Sequence, residues 1–586
     1  MSSVTKQIPY TQEPRDLPFP KATMYGAVNA AAEKYPEAIA YNFMGKKTTY
    51  GTMMKKIDQA AKAFVAQGIR RGDAVTISMP NVPQAILALY ALNRIGAIAN
   101  MIHPLSSQKE ITFYLDDSDS KMILTMDLFY EKTVKARAEA KNAKTTIIVA
   151  RMEDELPSYL AAGFYVKTGR KFMQFPNRPD SITWKNFLKD AALTPELPEE
   201  IYDPTKCSVL LYSGGTSGYP KGIMLTDDNF NILGMQIRSA CGCDLHPGLV
   251  FLSVMPVFHG FGLGIGIHAM LENSVTLLLV PQFTNASYAK MVAKQKPNFI
   301  AGVPTIYAAM MKEDVMKDAD LSCLMGVYSG GDTLPPELKH QFDQFLKEHN
   351  ASVQIREGYG LTECVTASCL TPVDTYKENS IGLPLREMEY AVVNPGTFDE
   401  RPRGEEGEII LRGPTVMLGY HNRPEANAET MKKDREGRTW VFTGDAGVMD
   451  EDGYVYFKQR LKRMIVTNGY NVYPGQIENV LLEHPDVDSC CIIGVPDPKR
   501  IQRVRAYVVL KPGVEQSEEE KQKLIEHCKL YVAAYAKPRE IIFRDDLPKT
   551  LVGKVAYHVL EEEAQAELEA QKAEAAKETA DQPESK

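Results

Sequence analysis

Apolar and polar positions follow two periods along most of the chain. Over residues 50–67 the apolar side chains fall at Met53, Met54, Ile57, Ala60, Ala61 and Phe64, one face of a helix, and Gly68 follows as a helix-ending glycine would. Residues 74–79 (AVTISM) read as a short buried strand, and 83–95 as a second helix closed by Gly96. Further short apolar runs at 122–125, 146–150, 208–212, 275–280 and 298–302 read as strands. Strands alternating with helices predict parallel sheets covered by helices. Residues 151–200 break the pattern with prolines, lysines and aromatics in no sustained period, and read as an irregular insertion.

From Gly404 the style changes to short strands at 408–412, 440–443 and 454–458, with Asp450-Glu451-Asp452-Gly453 as a hairpin turn. Beyond Arg460 come a helix at 477–484, strands at 489–495 and 505–510 and a helix at 518–531. The predicted fold is α/β: a large domain of helix-covered sheets with a β-barrel-like subdomain (1–459), and a small mobile α+β domain (460–560). The charged tail 561–586 begins as a helix and fades into disorder.

At 586 residues the chain is long enough for two or more domains, each with its own core. A net charge of −8 argues against a general nucleic-acid binder but allows a few well-placed cations. The nine cysteines include no CxxC pair, and Cys241-Gly-Cys243 and Cys490-Cys491 are too closely spaced for a metal framework, so buried, reduced thiols of a cytoplasmic protein are expected. The first twenty residues hold no apolar segment of the kind a secretory leader carries. Residues 249–270 are long and apolar enough for a membrane span. However, Pro256, His259, His268 and four glycines fit better a strand, a loop and a small-residue helix inside a core.

One run carries chemistry. Tyr212-Ser213-Gly214-Gly215-Thr216-Ser217-Gly218-Tyr219-Pro220-Lys221-Gly222 follows the strand at 208–212 directly. Its glycines let backbone N–H groups converge on an anion, Ser213, Thr216 and Ser217 add hydroxyls, and Lys221 adds a cation, a set suited to polyphosphate. It is not the Gly-Lys-Ser/Thr loop of the common NTPases: Pro220 precedes the lysine and resists a helix, so a mobile loop is expected.

This run resembles the signature of the acyl-adenylate-forming superfamily of acyl- and aryl-CoA synthetases, amino-acid adenylation domains and beetle luciferases. Pro256-Val-Phe-His259-Gly, Tyr359-Gly-Leu-Thr362-Glu363, Gly407-Glu408, Thr443-Gly-Asp445, Arg460-Leu-Lys462 and Pro548-Lys-Thr-Leu-Val-Gly553-Lys554 follow in that family's order. The resemblance implies that a carboxylate attacks the α-phosphate of ATP, and that a thiol, usually of CoA, then displaces AMP. It implies that Lys554 bridges the carboxylate and the α-phosphate and that Glu363 holds Mg²⁺. Thr362 would touch the α-phosphate, Asp445 the ribose hydroxyls with Arg460 beside them, and Tyr359 the adenine. Lys462 would be the hinge, and Gly469 would line the pantetheine tunnel. Three departures stand out: Val466 where a lysine is frequent, Val552 where a serine is frequent, and Gln502-Arg503 for a common Gly-Glu.

The resemblance also points to an acyl pocket from His259, Gly260, Gly330, Gly331, Asp332 and Gly360. Gly260 stands where amino-acid-activating relatives carry an aspartate for the ammonium, which argues against an amino-acid substrate. The aromatics and glycines of 258–262, 328–332 and 359–367 suit an apolar acyl chain. Residues 156–188 resemble the variable insertion of bacterial long-chain fatty acyl-CoA synthetases; the preferred reading packs its aromatics on the large domain, and the other rests it on an anionic membrane. The expectation is a cytoplasmic medium- or long-chain fatty acyl-CoA synthetase using ATP, Mg²⁺ and CoA, with weak peripheral membrane contact as the variant. The alternatives are a ligase loading an acyl carrier protein, an aryl or other acid–CoA ligase, and a non-catalytic relative, which would tolerate loss of Lys554, Glu363 or Asp445.

Overall fold

The computed structural model describes residues 19–142, 145–164, 180–213, 220–463, 465–467, 470–472, 474–497, 501–532, 536–550 and 555–580. The chain divides into two compact units. One comprises Met1–Ala391, Ile410–Phe442 and Asp450–Val455; the other comprises Val392–Ile409, Thr443–Met449 and Tyr456–Lys586.

The first unit holds two large sheets. In one, the strands Val250–Ser253, Thr276–Leu279, Phe299–Gly302, Gly326–Gly330 and Ile355–Tyr359 run parallel. In the other, Ala74–Ser78, Ile98–Met101, Met122–Met126, Thr146–Ala150 and Val209–Ser213 do the same. Ala74–Ser78, Met122–Met126, Thr276–Leu279 and Phe299–Gly302 are buried at every position, which is why they read as continuous apolar runs. Helix Tyr50–Ala66 buries the predicted stripe, and Gly68 at φ +90° ends it, with Ile69 N donating to Phe64 O at 3.0 Å. Helix Pro83–Arg94 starts on its proline, whose missing N–H would be unbonded there anyway.

Residues 249–270 form the strand Val250–Ser253, a loop, and the wide-turned helix Phe261–Ala269 continued by Met270–Glu272, all inside the core. Among the described residues no helix is long and apolar enough to cross a membrane.

Within 151–200, read above as irregular, the described residues hold only short elements, and 194–200 form neither helix nor strand. Strand Ser181–Thr183 extends a sheet in parallel beside Thr146–Ala150, and helix Trp184–Lys189 buries Trp184 and Phe187. Elements of three to six residues are too brief to show a period. Residues 165–179 of the segment 156–188 lie outside the described residues.

In the second unit the strands Val487–Asp497 and Ile501–Leu510 form a long antiparallel pair, with Glu540–Phe543 parallel on the far side of the latter. Helices Pro474–Leu482 and Glu518–Tyr531 contribute Ile477, Leu481, Leu524 and Cys528 to its core. The C-terminal helix is longer than the sequence pattern implied, Tyr557–Ala580, where a disordered tail is expected. Leu560 and Ala564 are buried against Ile493, Val495 and Tyr507, and Glu567 pairs with Arg505 at 2.8 Å. Its alanine- and glutamate-rich sequence then carries the helix onward. Short strands at Glu389–Val393, Gly407–Arg412, Met431–Lys433, Thr439–Met449 and Val455–Arg460 stand where the barrel-like subdomain is expected.

Candidate active site

The phosphate-type loop joins two antiparallel strands, Val209–Ser213 and Lys221–Leu225. Ser213 and Lys221 are direct cross-strand partners, so the hydroxyl and the cation stand side by side at the loop's base. A hairpin base, not a helix start, follows the loop, as Pro220 requires. Gly214, Gly215, Thr216, Ser217 and Gly218 lie outside the described residues.

A third strand, Gly419–Tyr420, pairs with Lys221–Leu225, placing Tyr420 opposite Ile223. The Lys221 ammonium lies 4.3 Å from the centroid of the Tyr420 ring, an attractive cation–ring contact. Tyr420 Oη donates to Glu363 Oε1 at 2.7 Å. Burial and the Glu363 charge hold the Tyr420 phenol above its ordinary range, so it stays a donor. One aromatic residue thus links the lysine of the loop to the carboxylate of the Thr362-Glu363 motif. Met417 N also donates to Glu363 O at 2.8 Å.

Glu363 sits in the tight turn Thr362–Cys364, just past strand Ile355–Tyr359. Gly330 is the register partner of Gly358, so Gly330–Asp332 and Tyr359–Glu363 leave neighbouring parallel strands at their carboxyl ends, the usual ligand position in such sheets. The Tyr359 ring meets that of Tyr390 edge to face at 6.5 Å. Asp332 is exposed and accepts from Thr333 N at 2.9 Å, so its side chain is engaged in its own turn.

Val365 has φ +66°, a strained value for a β-branched residue. Gly260 fits directly against it: a Cβ there would come within 1.6 Å of Val365 O. At Gly360 a Cβ would come within 1.4 Å of Thr366 O. These two glycines, expected in the acyl pocket, are required by close backbone packing around the Glu363 turn. His259 is half-buried, and its Nδ1 accepts from Phe261 N at 3.2 Å at the start of the wide helix.

In the second unit Asp445 is buried, with Arg460 Nε 3.6 Å from its Oδ1. Glu408 explains why a Gly-Glu pair accompanies Thr443-Gly-Asp445. Its Oε1 accepts from Gly444 N at 3.0 Å and its Oε2 from Gly396 N at 2.8 Å. Thr443 Oγ1 donates to Ile409 O at 2.6 Å and accepts from Asp445 N at 3.0 Å. Lys462 lies in the turn Leu461–Arg463, whose Arg463 bonds Glu478 Oε1 at 2.5 Å and Ile492 O at 3.2 Å. The motif before the last helix is closed by Ala556 N donating to Pro548 O at 2.7 Å and by a Lys549–Val555 bridge. Lys554 and Val552 within it, and Gly469, lie outside the described residues.

Sequence reasoning missed the linking role of Tyr420. Gly419-Tyr420 follows the motif by more than fifty residues and carries no signal beyond a strand aromatic.

Residues 28–421 match the family model of the AMP-binding enzyme, and 476–554 that of the AMP-binding enzyme C-terminal domain. The chain is 32% identical over 559 residues to a long-chain-fatty-acid–CoA ligase of Bacillus subtilis (strain 168), covering 94% of this chain and 96% of that one. It is 31% identical over 550 residues to the protein of that name from Escherichia coli O6:H1, covering 92% and 93%. In fold it is similar to the anthranilate CoA ligase AuaEII in complex with anthranoyl-AMP, with a TM-score of 0.78, 24% identity, and 94% and 98% of the two chains covered. With both family models matched in order around the motifs described above, the chain belongs to the AMP-binding enzyme family, the adenylate-forming acid–thiol ligases.

Proposed function

We propose that the protein is an ATP-dependent fatty acyl-CoA synthetase that converts a fatty acid, ATP and CoA into acyl-CoA, AMP and diphosphate through an acyl-adenylate. The observation that carries this reading is the Lys221–Tyr420–Glu363 chain of contacts, which joins a polyphosphate-type loop to a carboxylate suited to a hard cation.

In this reading Ser213, Lys221 and the loop 214–218 grip the leaving β- and γ-phosphates. Mg²⁺, when bound, neutralises phosphate charge. A carboxylate has several lone-pair positions and Tyr420 occupies one, so Glu363 retains capacity for the ion. Thr362 contacts the α-phosphate, Tyr359 the adenine, and Asp445 with Arg460 the ribose. Lys554 offsets the repulsion between the attacking carboxylate and the α-phosphate as charge builds. The small domain, 460–560, turns about Lys462, withdrawing Lys554 after adenylation and bringing Gly469 to the CoA pantetheine.

The fatty-acid assignment is supported by relatives named long-chain-fatty-acid–CoA ligase, with more than 90% of each chain covered. It is also supported by Gly260, where a side chain for a substrate ammonium would collide with Val365 O. A second reading, an aryl acid–CoA ligase, draws on the fold shared with the anthranilate CoA ligase. A ligase loading a carrier protein is the other alternative. The test is diphosphate release with a panel of alkyl and aryl acids, with CoA or a carrier protein as acceptor. Release dependent on medium- or long-chain alkyl acids and thioester formation on free CoA is expected. Release with aryl acids alone, or transfer to the carrier alone, would replace the assignment.

A further inference from the structure

We infer that Cys241 and Cys243 form an oxidisable thiol pair that closes to an intramolecular disulfide and acts on the strands carrying the acyl-pocket segments. The second half rests on the pocket reading above; the first does not.

The two Sγ atoms are 3.9 Å apart, in hydrogen-bond contact, at the end of helix Asp227–Ala240. Gly242 between them has φ +83°, and this left-handed turn brings the alternate side chains to the same side. Cys243 is half-buried and Cys241 buried, so the pair is reached through Cys243. The hydrogen bond from Cys243, with the Arg356 guanidinium nearby, lowers the Cys241 thiol to about 7 despite burial. A neighbouring thiol and a fixed cation are what a reactive pair requires.

The consequence follows from what the Cys241 carbonyl holds. It accepts from Arg356 Nη1 at 3.3 Å and from Tyr328 Oη at 3.4 Å. Tyr328 and Arg356 are register partners on neighbouring strands. Two residues beyond Tyr328 is Gly330, and three beyond Arg356 is Tyr359. Bringing two sulfurs from 3.9 Å to bonding distance rotates the turn and pulls this carbonyl away from both donors.

The step needs a two-electron oxidant such as a hydroperoxide. The Cys241 thiolate attacks the peroxide oxygen, giving a sulfenic acid and, with a proton, water. Cys243 sulfur then attacks the sulfenic sulfur, forming the S–S bond and releasing a second water once its thiol proton is transferred. The net change is two thiols and one hydrogen peroxide to one disulfide and two waters.

The test treats the full-length enzyme with hydrogen peroxide and maps alkylated peptides by mass spectrometry. A peptide spanning 241–243 that has lost two hydrogens and become refractory to alkylation is expected, restored by dithiothreitol. Oxidation should lower kcat/KM for the acid about threefold to tenfold, the scale of one or two lost hydrogen bonds, in the wild type and not in Cys243→Ser. Sulfinic acid without disulfide, or disulfides between other cysteines, would overturn the pair. A 241–243 disulfide with unchanged kcat/KM would overturn the coupling to the strands. A wild-type enzyme inactive towards every acid before oxidation would instead count against the function proposed above.

Discussion

Tyr420 Oη donates to Glu363 Oε1 across 2.7 Å while its ring lies 4.3 Å from the Lys221 ammonium. Tyr420→Phe keeps the ring under Lys221 and removes only the hydrogen bond. The Mg²⁺ concentration for half-maximal rate should rise and kcat/KM for ATP fall about tenfold to a hundredfold, from the loss of one hydrogen bond to a charged group. Tyr420→Leu removes both contacts and should cost more. Steady-state rates over an Mg²⁺ titration check this; identical titrations for wild type and Tyr420→Phe would refute the linking role.

Gly260 allows no side chain, because a Cβ would lie 1.6 Å from Val365 O in the strained turn that follows Glu363. Gly260→Ala should destabilise the protein by about 1–3 kcal/mol, the usual range for overpacking. It should also lower adenylation, since Val365 is two residues from Glu363. Urea unfolding reads the first effect and diphosphate release the second. A variant with wild-type midpoint and rate would show that the backbone yields freely.

Glu357 accepts from Leu334 N at 3.0 Å, and its pKa is raised to about 7 by burial, with Asp332 adding to the effect and Leu334 N and Lys339 opposing it. The folded state therefore binds the proton more tightly than the unfolded chain. This contribution to stability is complete below the ordinary glutamate pKa and is lost as pH rises through about 7. Glu357→Gln mimics the neutral form and lacks that loss. Its stability relative to wild type should climb as pH rises from about 4.5 to about 7, the unfolded and folded values of this carboxyl, and then level off. Chemical unfolding at several pH values measures the difference; a constant offset would contradict a raised pKa.

Lys554→Ala should reduce adenylation about a hundredfold or more, the scale of removing one aligned electrostatic contact to a transition state. Thioester formation from supplied acyl-adenylate and CoA should remain close to wild type. The two half-reactions are assayed separately. Equal loss in both would contradict a lysine that serves only the first step.

The strands that were legible include several buried along their whole length. The runs at 146–150 and 74–79 correspond to Thr146–Ala150 and Ala74–Ser78, since a fully buried strand leaves an uninterrupted apolar signature. The helix Glu518–Tyr531 was legible through its acidic first turn and apolar spacing. The strand Ser181–Thr183 and the burial of Trp184 were not, because short elements lack a period. The start of the last helix depends on Leu560, Ala564 and Glu567 finding partners on distant strands.

The motifs by themselves pointed to the family: a hydroxyl-rich glycine loop with Lys221 and the Thr362-Glu363 pair, followed in order by the others. Such residues are chosen by what they bind, so they remain visible in order along the chain. Only the tertiary structure decided that Lys221 sits beside Ser213 on a hairpin and that Tyr420 joins it to Glu363. It also decided that Gly260 is held by Val365 and that Glu408 anchors the Thr443–Asp445 backbone. Those relationships arise where strands and turns far apart in sequence pair and pack, and no local pattern of residues encodes them.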